Sequence, residues 1–264
     1  MRYAPASLIA WLLVAPFLAA PAWAEGGAGP SPKLPCEIPA EFTTPSVPLI
    51  SVAAALSAGR PVEVLALGSG STVGEVGTST GKAFAGKTPG ASFPYRMIEA
   101  LHALRPDARF KLTVAGGRNM SAEEMLTELH KRLGAHRYDL LIWQTGTVEA
   151  VRGLRPEALH DVLEQGIDEA TEKHVDVLLV DPQFSRFLRA NIDLEPYEWV
   201  MRQTADHEGV GLFRRLALTQ TWVDSGEVDL ERVSREQRDK TIGLLNVCLG
   251  RALADYVLAG AAMP

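Results

Sequence analysis

The residues best placed to do chemistry are the hydroxyls of Leu65-Ala66-Leu67-Gly68-Ser69-Gly70-Ser71-Thr72-Val73-Gly74, where an apolar run breaks into small side chains. Small residues let the backbone approach a ligand, and amides exposed in such a turn can hold an anion. A serine there acts as a nucleophile only beside a general base. The six histidines, His102, His130, His136, His160, His174 and His207, are scattered, and none lies beyond His207. None of them has His-x-x-x-His or His/Cys spacing, so neither a metal nor another cofactor is expected. In an active hydrolase, Ser69 and Ser71 would be the nucleophile candidates and His207 the source of a base. His207 sits in Ala205-Asp206-His207-Glu208-Gly209, however, and a surface helix end is the better reading of it.

Two nucleotide-loop patterns fail in the same region. Gly77 to Lys82 reads GTSTGK, but a phosphate loop needs glycine where Val76 stands and a magnesium-binding hydroxyl where Ala83 stands. Gly68, Gly70 and Gly74 give GxGxxxG, a poor match to the dinucleotide fingerprint.

A loop of this kind needs a strand before it and a helix behind it. Residues 62–67, 110–115, 138–143 and 175–180 read as strands, with a weaker fifth at 210–213, and their continuous apolar character fits burial on both faces. Helical patterns lie between them at residues 94–104, 121–133, 156–171 and 196–207, with a last one at 241–258. Ser121 and Glu124 have capping-box spacing. The alternation predicts right-handed crossovers in a single doubly wound, flavodoxin-like α/β domain, a parallel sheet of about five strands covered by helices on both faces. Functional loops then lie past the carboxyl ends of the strands.

Over most of its length the chain resembles the SGNH/GDSL hydrolases. The run Gly68 to Gly74 is similar to the family's first block, in which Gly-Asp-Ser is followed by x-Thr-x-Gly; Gly68, Thr72 and Gly74 fall into register, Ser69 replaces the aspartate and Gly70 the nucleophile. Gly116-Gly117-Arg118-Asn119-Met120-Ser121 resembles the second block, with Asn119 where a glycine amide helps to hold the oxyanion. Asparagine tolerates left-handed angles, so that turn can survive, and a plain helix-capping loop is the alternative. The third block ends in Gly-x-Asn-Asp. Here Ile142-Trp143-Gln144-Thr145-Gly146-Thr147 is similar to a group of bacterial members, but Val148 takes the place of the asparagine and cannot donate to an oxyanion. The last block is Asp-x-x-His before the final helix. With the family's Gly-aromatic step set on Gly243-Leu244, Arg235 falls at the aspartate and Arg238 at the histidine.

The resemblance thus implies the SGNH fold without its acyl-transfer chemistry, with Gly70, Asn119, Val148, Arg235 and Arg238 at the positions of a former active-site cleft. The expected role is binding there of a glycan, an acylated ligand or a protein partner. Arg235 and Arg238 would hold a carboxylate or phosphate, or else belong to a solvated turn in the charged run of residues 231–240. The alternative is an active ester or acetyl-group hydrolase with shifted catalytic residues.

Residues 1–24 read as a secretory signal peptide, an apolar run at 8–20 closing on Ala22 and Ala24, with a retained anchor as the alternative. Residues 25–48 read as an irregular arm rich in Gly, Pro and Ser, and residues 49–264 as the domain. No later stretch reads as long and apolar enough to span a membrane. The net charge is −6 and the charges are well mixed, which disfavours nucleic acid as a partner. A periplasmic or secreted location follows from the leader and puts both cysteines in an oxidising compartment. Cys36 and Cys248 are expected to pair in a disulfide, with two unpaired thiols as the alternative.

Overall fold

Five short apolar runs form the strands of one parallel sheet: β1 (Val62–Gly68), β2 (Phe110–Gly116), β3 (Leu140–Gln144), β4 (Asp176–Val180) and β5 (Gly211–Phe213). Their order is β2-β1-β3-β4-β5. In this computed structural model residues 36–74 and 92–264, with Met1, are described, and Leu34–Pro264 forms one compact unit. The proposed leader, the first part of the arm and the GTSTGK run lie outside the described residues.

Side chains that alternate along each strand fill two separate cores. Leu65 and Leu67 of β1, Leu141 and Trp143 of β3 and Leu179 of β4 pack under α4 (Ala122–Ala135), α6 (Pro156–Glu172) and α8 (Glu195–Glu208). Val62, Val64 and Ala66 of β1, Leu140 and Ile142 of β3 and Val180 of β4 pack on the other face, under α1 (Ile50–Ser57), α3 (Phe93–Leu104) and α10 (Arg235–Ala261). Burial on both faces is why the central strands β1, β3 and β4 are almost wholly apolar, while β2 at the sheet edge carries Lys111 and Thr113; the layers establish the doubly wound α/β class expected from the sequence.

Ser121 and Glu124 close a reciprocal capping box at the start of α4, as their spacing predicts. Five helices have no strong sequence pattern: α1, α2 (Gly70–Val73), α5 (Thr147–Arg152), α7 (Arg186–Asn191) and α9 (Arg215–Ser225). Four of them span eight residues or fewer, too short to show an apolar period. The last helix starts at Arg235, before the expected residue 241, because its first turns are charged and exposed.

The last helix also corrects one expectation. Glu236–Ala261 is long and apolar enough, by length and composition, to cross a membrane. Here Cys248, Leu249, Ala252, Leu253, Tyr256 and Val257 are buried in the core beneath the sheet. A Cβ on Gly250 would lie 2.6 Å from the backbone nitrogen of Met97 in α3, so the two helices meet where only glycine fits. Cys36 and Cys248 are joined in a disulfide with Cα atoms 6.2 Å apart, tying the chain ahead of the domain to this helix.

Candidate functional site

Glycine sterics set the floor of the carboxyl edge of the sheet. Gly68 and Gly116 are register partners at the ends of β1 and β2. Gly116 has φ +109°, and a Cβ on it would lie 2.0 Å from the carbonyl oxygen of Gly68. A Cβ on Gly68 would lie 2.2 Å from Thr72 Oγ1. The chain can therefore turn tightly from β1 into α2, and Gly74, with φ +86°, ends that helix in the left-handed conformation. The registered Gly68, Thr72 and Gly74 are in this way requirements of backbone geometry.

Gln144, at the end of β3 and buried, holds the turn from the side. Its Oε1 accepts from Ser69 N at 3.2 Å, Ser69 Oγ at 3.1 Å, Ser71 Oγ at 3.3 Å and Thr72 Oγ1 at 3.0 Å. Ser71 Oγ accepts from Arg215 Nη1 at 3.0 Å. Arg215 is itself buried, its guanidinium carbon 5.9 Å from the centre of the Phe93 ring, and burial lowers its pKa to about 10 against the attraction of Asp181. Asp181, just past β4, accepts from Leu216 N at 2.8 Å, and burial raises its carboxyl to about 7.

Above this floor a cleft of about 490 Å³ opens between the loops that follow β1, β2, β3 and β4. It is lined by Ser69, Gly70 and Ser71, by Arg118 and Asn119, by Thr147, Val148, Val151 and Arg152, and by Gln183 and Leu188. The buried carboxylate of Glu149 pins two of its walls together, accepting from Ala122 N at 2.5 Å and Gly146 N at 2.8 Å. Asn119 takes φ +60°, the left-handed conformation its residue type permits, and its carbonyl accepts from Arg152 Nη2 at 2.5 Å. Arg152 also meets Glu124 at 3.3 Å. Gly70 is not among the residues with positive φ.

Ser69, Ser71, Gly70, Asn119 and Val148 thus come together around one cavity, and among the described side chains Arg238 and His207 do not join them. Arg238 is exposed on α10 and does not line the cleft; Arg235 opens the same helix, and its side chain lies outside the described residues. His207 is at the end of α8, on the connection into β5 and so at the amino edge of the sheet, with Glu208 3.9 Å away. His102, His136 and His174 likewise stand in segments leading into strands, His130 pairs with Glu169, and His160 meets Thr204 Oγ1 at 2.9 Å between α6 and α8.

Ahead of α10 stands an acid three residues before a base, Asp229 and Arg232, six residues N-terminal to the register set by Gly243-Leu244. Asp229 Oδ1 accepts from the backbone of Glu231 at 3.0 Å and Arg232 at 3.2 Å, and Oδ2 accepts from Arg186 Nη2 at 3.1 Å. Burial alone would raise its pKa, but these donors outweigh it and hold the carboxyl below the usual aspartate value. The sequence signal for this pair was its position just before the helix cap Ser234, which the glycine-based register passed over. Arg118, in a loop, and Arg152, at the end of the short helix α5, were missed because neither position carries a spacing signal.

A doubly wound sheet whose only described cleft built from the turns after β1, β2 and β3 places Ser69–Ser71, Asn119 and Val148 around one cavity has the architecture of the SGNH/GDSL hydrolases. The sequence model of the non-GDSL lipase-like family matches residues 35–263, and the chain belongs to that family. Among solved structures it is similar to Axe2, an acetyl-xylooligosaccharide esterase from Geobacillus Stearmophilus, at 14% identity and TM-score 0.56 over 77% of this chain and 95% of that one. It is also similar to LAE5, an alpha/beta hydrolase enzyme from the metagenome of Lake Arreo, Spain, at 15% identity and TM-score 0.57 over 76% and 94%. A third likeness is to a two-domain esterase active on acetylated mannans, at 14% identity and TM-score 0.60 over 81% and 56%. None of the curated proteins compared with the chain matches it.

Proposed function

We propose that this protein is an exported, SGNH-like binding protein that has no esterase activity and takes a glycan, an acylated ligand or a protein partner in the cleft above Ser69–Ser71. The observation that carries this reading is the set of partners around the two cleft serines. A nucleophilic hydroxyl must give its proton to a base within hydrogen-bond reach. Here Ser69 Oγ faces an amide oxygen, and Ser71 Oγ lies between that oxygen and a guanidinium that can only donate. Among the described residues no histidine lines the cleft, and Val148 offers no donor to an oxyanion. Export is supported by the leader-like residues 1–24 and by the disulfide, which suits an oxidising compartment.

The direct test is treatment of the purified protein with a fluorophosphonate probe alongside a short-chain aryl ester. The expected result is no labelled serine and turnover at background, together with measurable binding of an acetylated xylo- or mannooligosaccharide. Labelling of Ser69 or Ser71, with turnover abolished by Ser69→Ala or Ser71→Ala, would make the protein an active ester hydrolase instead.

A further inference from the structure

Hydrogen bonds around the β1 turn do not balance, and the imbalance has a sign. A carbonyl oxygen offers two lone pairs. Gln144 Oε1 has four donors within 3.3 Å, from the amide of Ser69 and the hydroxyls of Ser69, Ser71 and Thr72. The Ser69 amide can only donate, which fixes the oxygen of Gln144 on that side. Some of these donors are therefore left short of an acceptor, and Ser69 and Ser71 line the cleft.

Arg215 adds to the excess. It is 2% exposed, it donates to Ser71 Oγ from Nη1, and its Nε and Nη2 have no partner. Unpaired donors of this kind are costly to bury, so the floor under Ser71 is short of acceptors. At the mouth stand Arg118, exposed and without a partner among the described residues, and Arg152, which is paired with Glu124 and the Asn119 carbonyl. No aspartate or glutamate lines the cleft, although the chain as a whole is acidic. The apolar part of the lining is formed by Val148, Val151 and Leu188.

We infer that the cleft binds an oxyanion, a carboxylate or a phosphate monoester, attached to an apolar group; this rests on the binding reading given above and names the chemistry of its ligand. The oxyanion sits on the Ser69–Ser71 turn with Arg118 closing over it, and the apolar part lies along Val148, Val151 and Leu188. The hydroxyl of Ser71, polarised by Arg215, becomes a stronger donor to an anion than an ordinary serine.

The test is calorimetric titration of the purified protein with octanoate, octyl phosphate and neutral octanol, at low and high salt. At least one of the two anions is expected to bind roughly tenfold or more tightly than octanol, the scale of one charge-assisted hydrogen bond, and to weaken with salt. Whichever anion binds better identifies the headgroup. Arg118→Ala should weaken that anion by roughly tenfold and leave octanol unchanged, and Arg118→Glu should abolish anion binding. Arg118 is exposed and unpaired, so these variants keep the fold, which their unfolding curves will confirm. Equal affinity for all three ligands, or an unchanged anion affinity in Arg118→Ala, would overturn the inference. If a neutral acetylated oligosaccharide binds without turnover while neither anion does, the inference fails and the binding reading stands. Ester turnover would remove the binding reading, leaving the octanoate and octyl phosphate titrations to judge the oxyanion site by themselves.

Discussion

The turn that ends β1 and the turn that leads into α10 are held in different ways. The first is fixed by steric necessity: Gly116 packs on Gly68, Gly68 packs under Thr72, and one buried amide oxygen gathers the loop. The second is held by charges near the surface, Asp229 with Arg186 and Arg232. Backbone packing tolerates almost no exchange, whereas ion pairs at the surface contribute little and can be exchanged freely. That difference explains how Gly68, Thr72 and Gly74 can be kept while the charged residues ahead of α10 are free to differ.

The largest expected effect is at the steric end of this comparison. Gly116→Ala would put a Cβ against the Gly68 carbonyl and force a left-handed angle on alanine, so it should cost more than about 3 kcal/mol in urea unfolding. Arg232→Ala, at a side chain 73% exposed, should cost no more than about 0.5 kcal/mol. Comparable losses for the two variants would break the comparison.

Replacing both cysteines by serine releases a cross-link spanning 212 residues and should cost about 2–4 kcal/mol, read from the same unfolding curves. An unchanged midpoint would mean that the arm contributes nothing through Cys36. Gln144→Leu keeps the volume of the side chain but strips Ser69, Ser71 and Thr72 of their shared acceptor. A loss of about 1–3 kcal/mol is expected, with faster amide exchange confined to the β1 turn. Exchange that rises evenly across the sheet would deny Gln144 its special hold on that turn.

How much of this was legible in the sequence follows the same division. Strands β1, β3 and β4, buried on both faces, write themselves as apolar runs; β2 and β5 were read from shorter β-rich stretches, and the capping box at Ser121 from its spacing. Gly68, Thr72 and Gly74 were readable because packing admits few residue types there. Gln144 was quoted only within the stretch Ile142 to Thr147, since nothing local says that its side chain turns toward a loop 75 residues earlier. The pairing of Arg215 with Ser71 spans 144 residues and leaves no local trace either. Arg238 was drawn toward the cleft by a register resting on Gly243, and a Cβ on Gly243 would meet nothing within 4 Å. A glycine free of steric demand makes a poor anchor.

An effect that appears only as pH changes tests the charge beneath the cleft. The Asp181 carboxyl is raised in the fold from 3.8 to about 7, chiefly by burial, with Arg215 opposing. A folded pKa above the unfolded one means that the native state holds the extra proton between those values. The contribution of Asp181 to stability is therefore full below the lower value, falls as pH rises through the window, and is flat above about 7. Asp181→Asn keeps an acceptor for Leu216 N and removes the titration. Stability of the unsubstituted protein relative to this variant should fall from the bottom of the window to the top, by at most about 4 kcal/mol at roughly 1.4 kcal/mol per pH unit. A constant difference across the window would show that burial does not perturb this carboxyl.

The smallest expected effect is none, and it bears on chemistry where the others bear on packing. Gly70 stands where the related enzymes' pattern has its nucleophile, and Gly70→Ser should leave hydrolysis of a short-chain aryl ester at background. Strain will not be the reason, because Gly70 has no positive φ and opens α2 in a helical conformation that serine accepts. The new hydroxyl would face a cleft lined by arginine, valine and amide, with no described histidine to take its proton. Nucleophile, base and oxyanion donors act as a unit, so a single restored member gains almost nothing. Adding Val148→Asn supplies a donor, and Arg232→His places an imidazole three residues after Asp229, whose Oδ1 already holds the turn through two backbone amides. That triple variant adds a hydroxyl, an amide donor and an imidazole, although Arg232 itself lines a neighbouring pocket and not the cleft; the Arg235 and Arg238 positions lie on the helix beyond this turn. Its unfolding midpoint should stay within about 1 kcal/mol of the unsubstituted protein, since each change is at a position packing does not demand. Turnover in Gly70→Ser alone would mean that a base reaches the cleft unrecognised, and the division between a packed scaffold and an exchangeable chemistry would have been drawn in the wrong place.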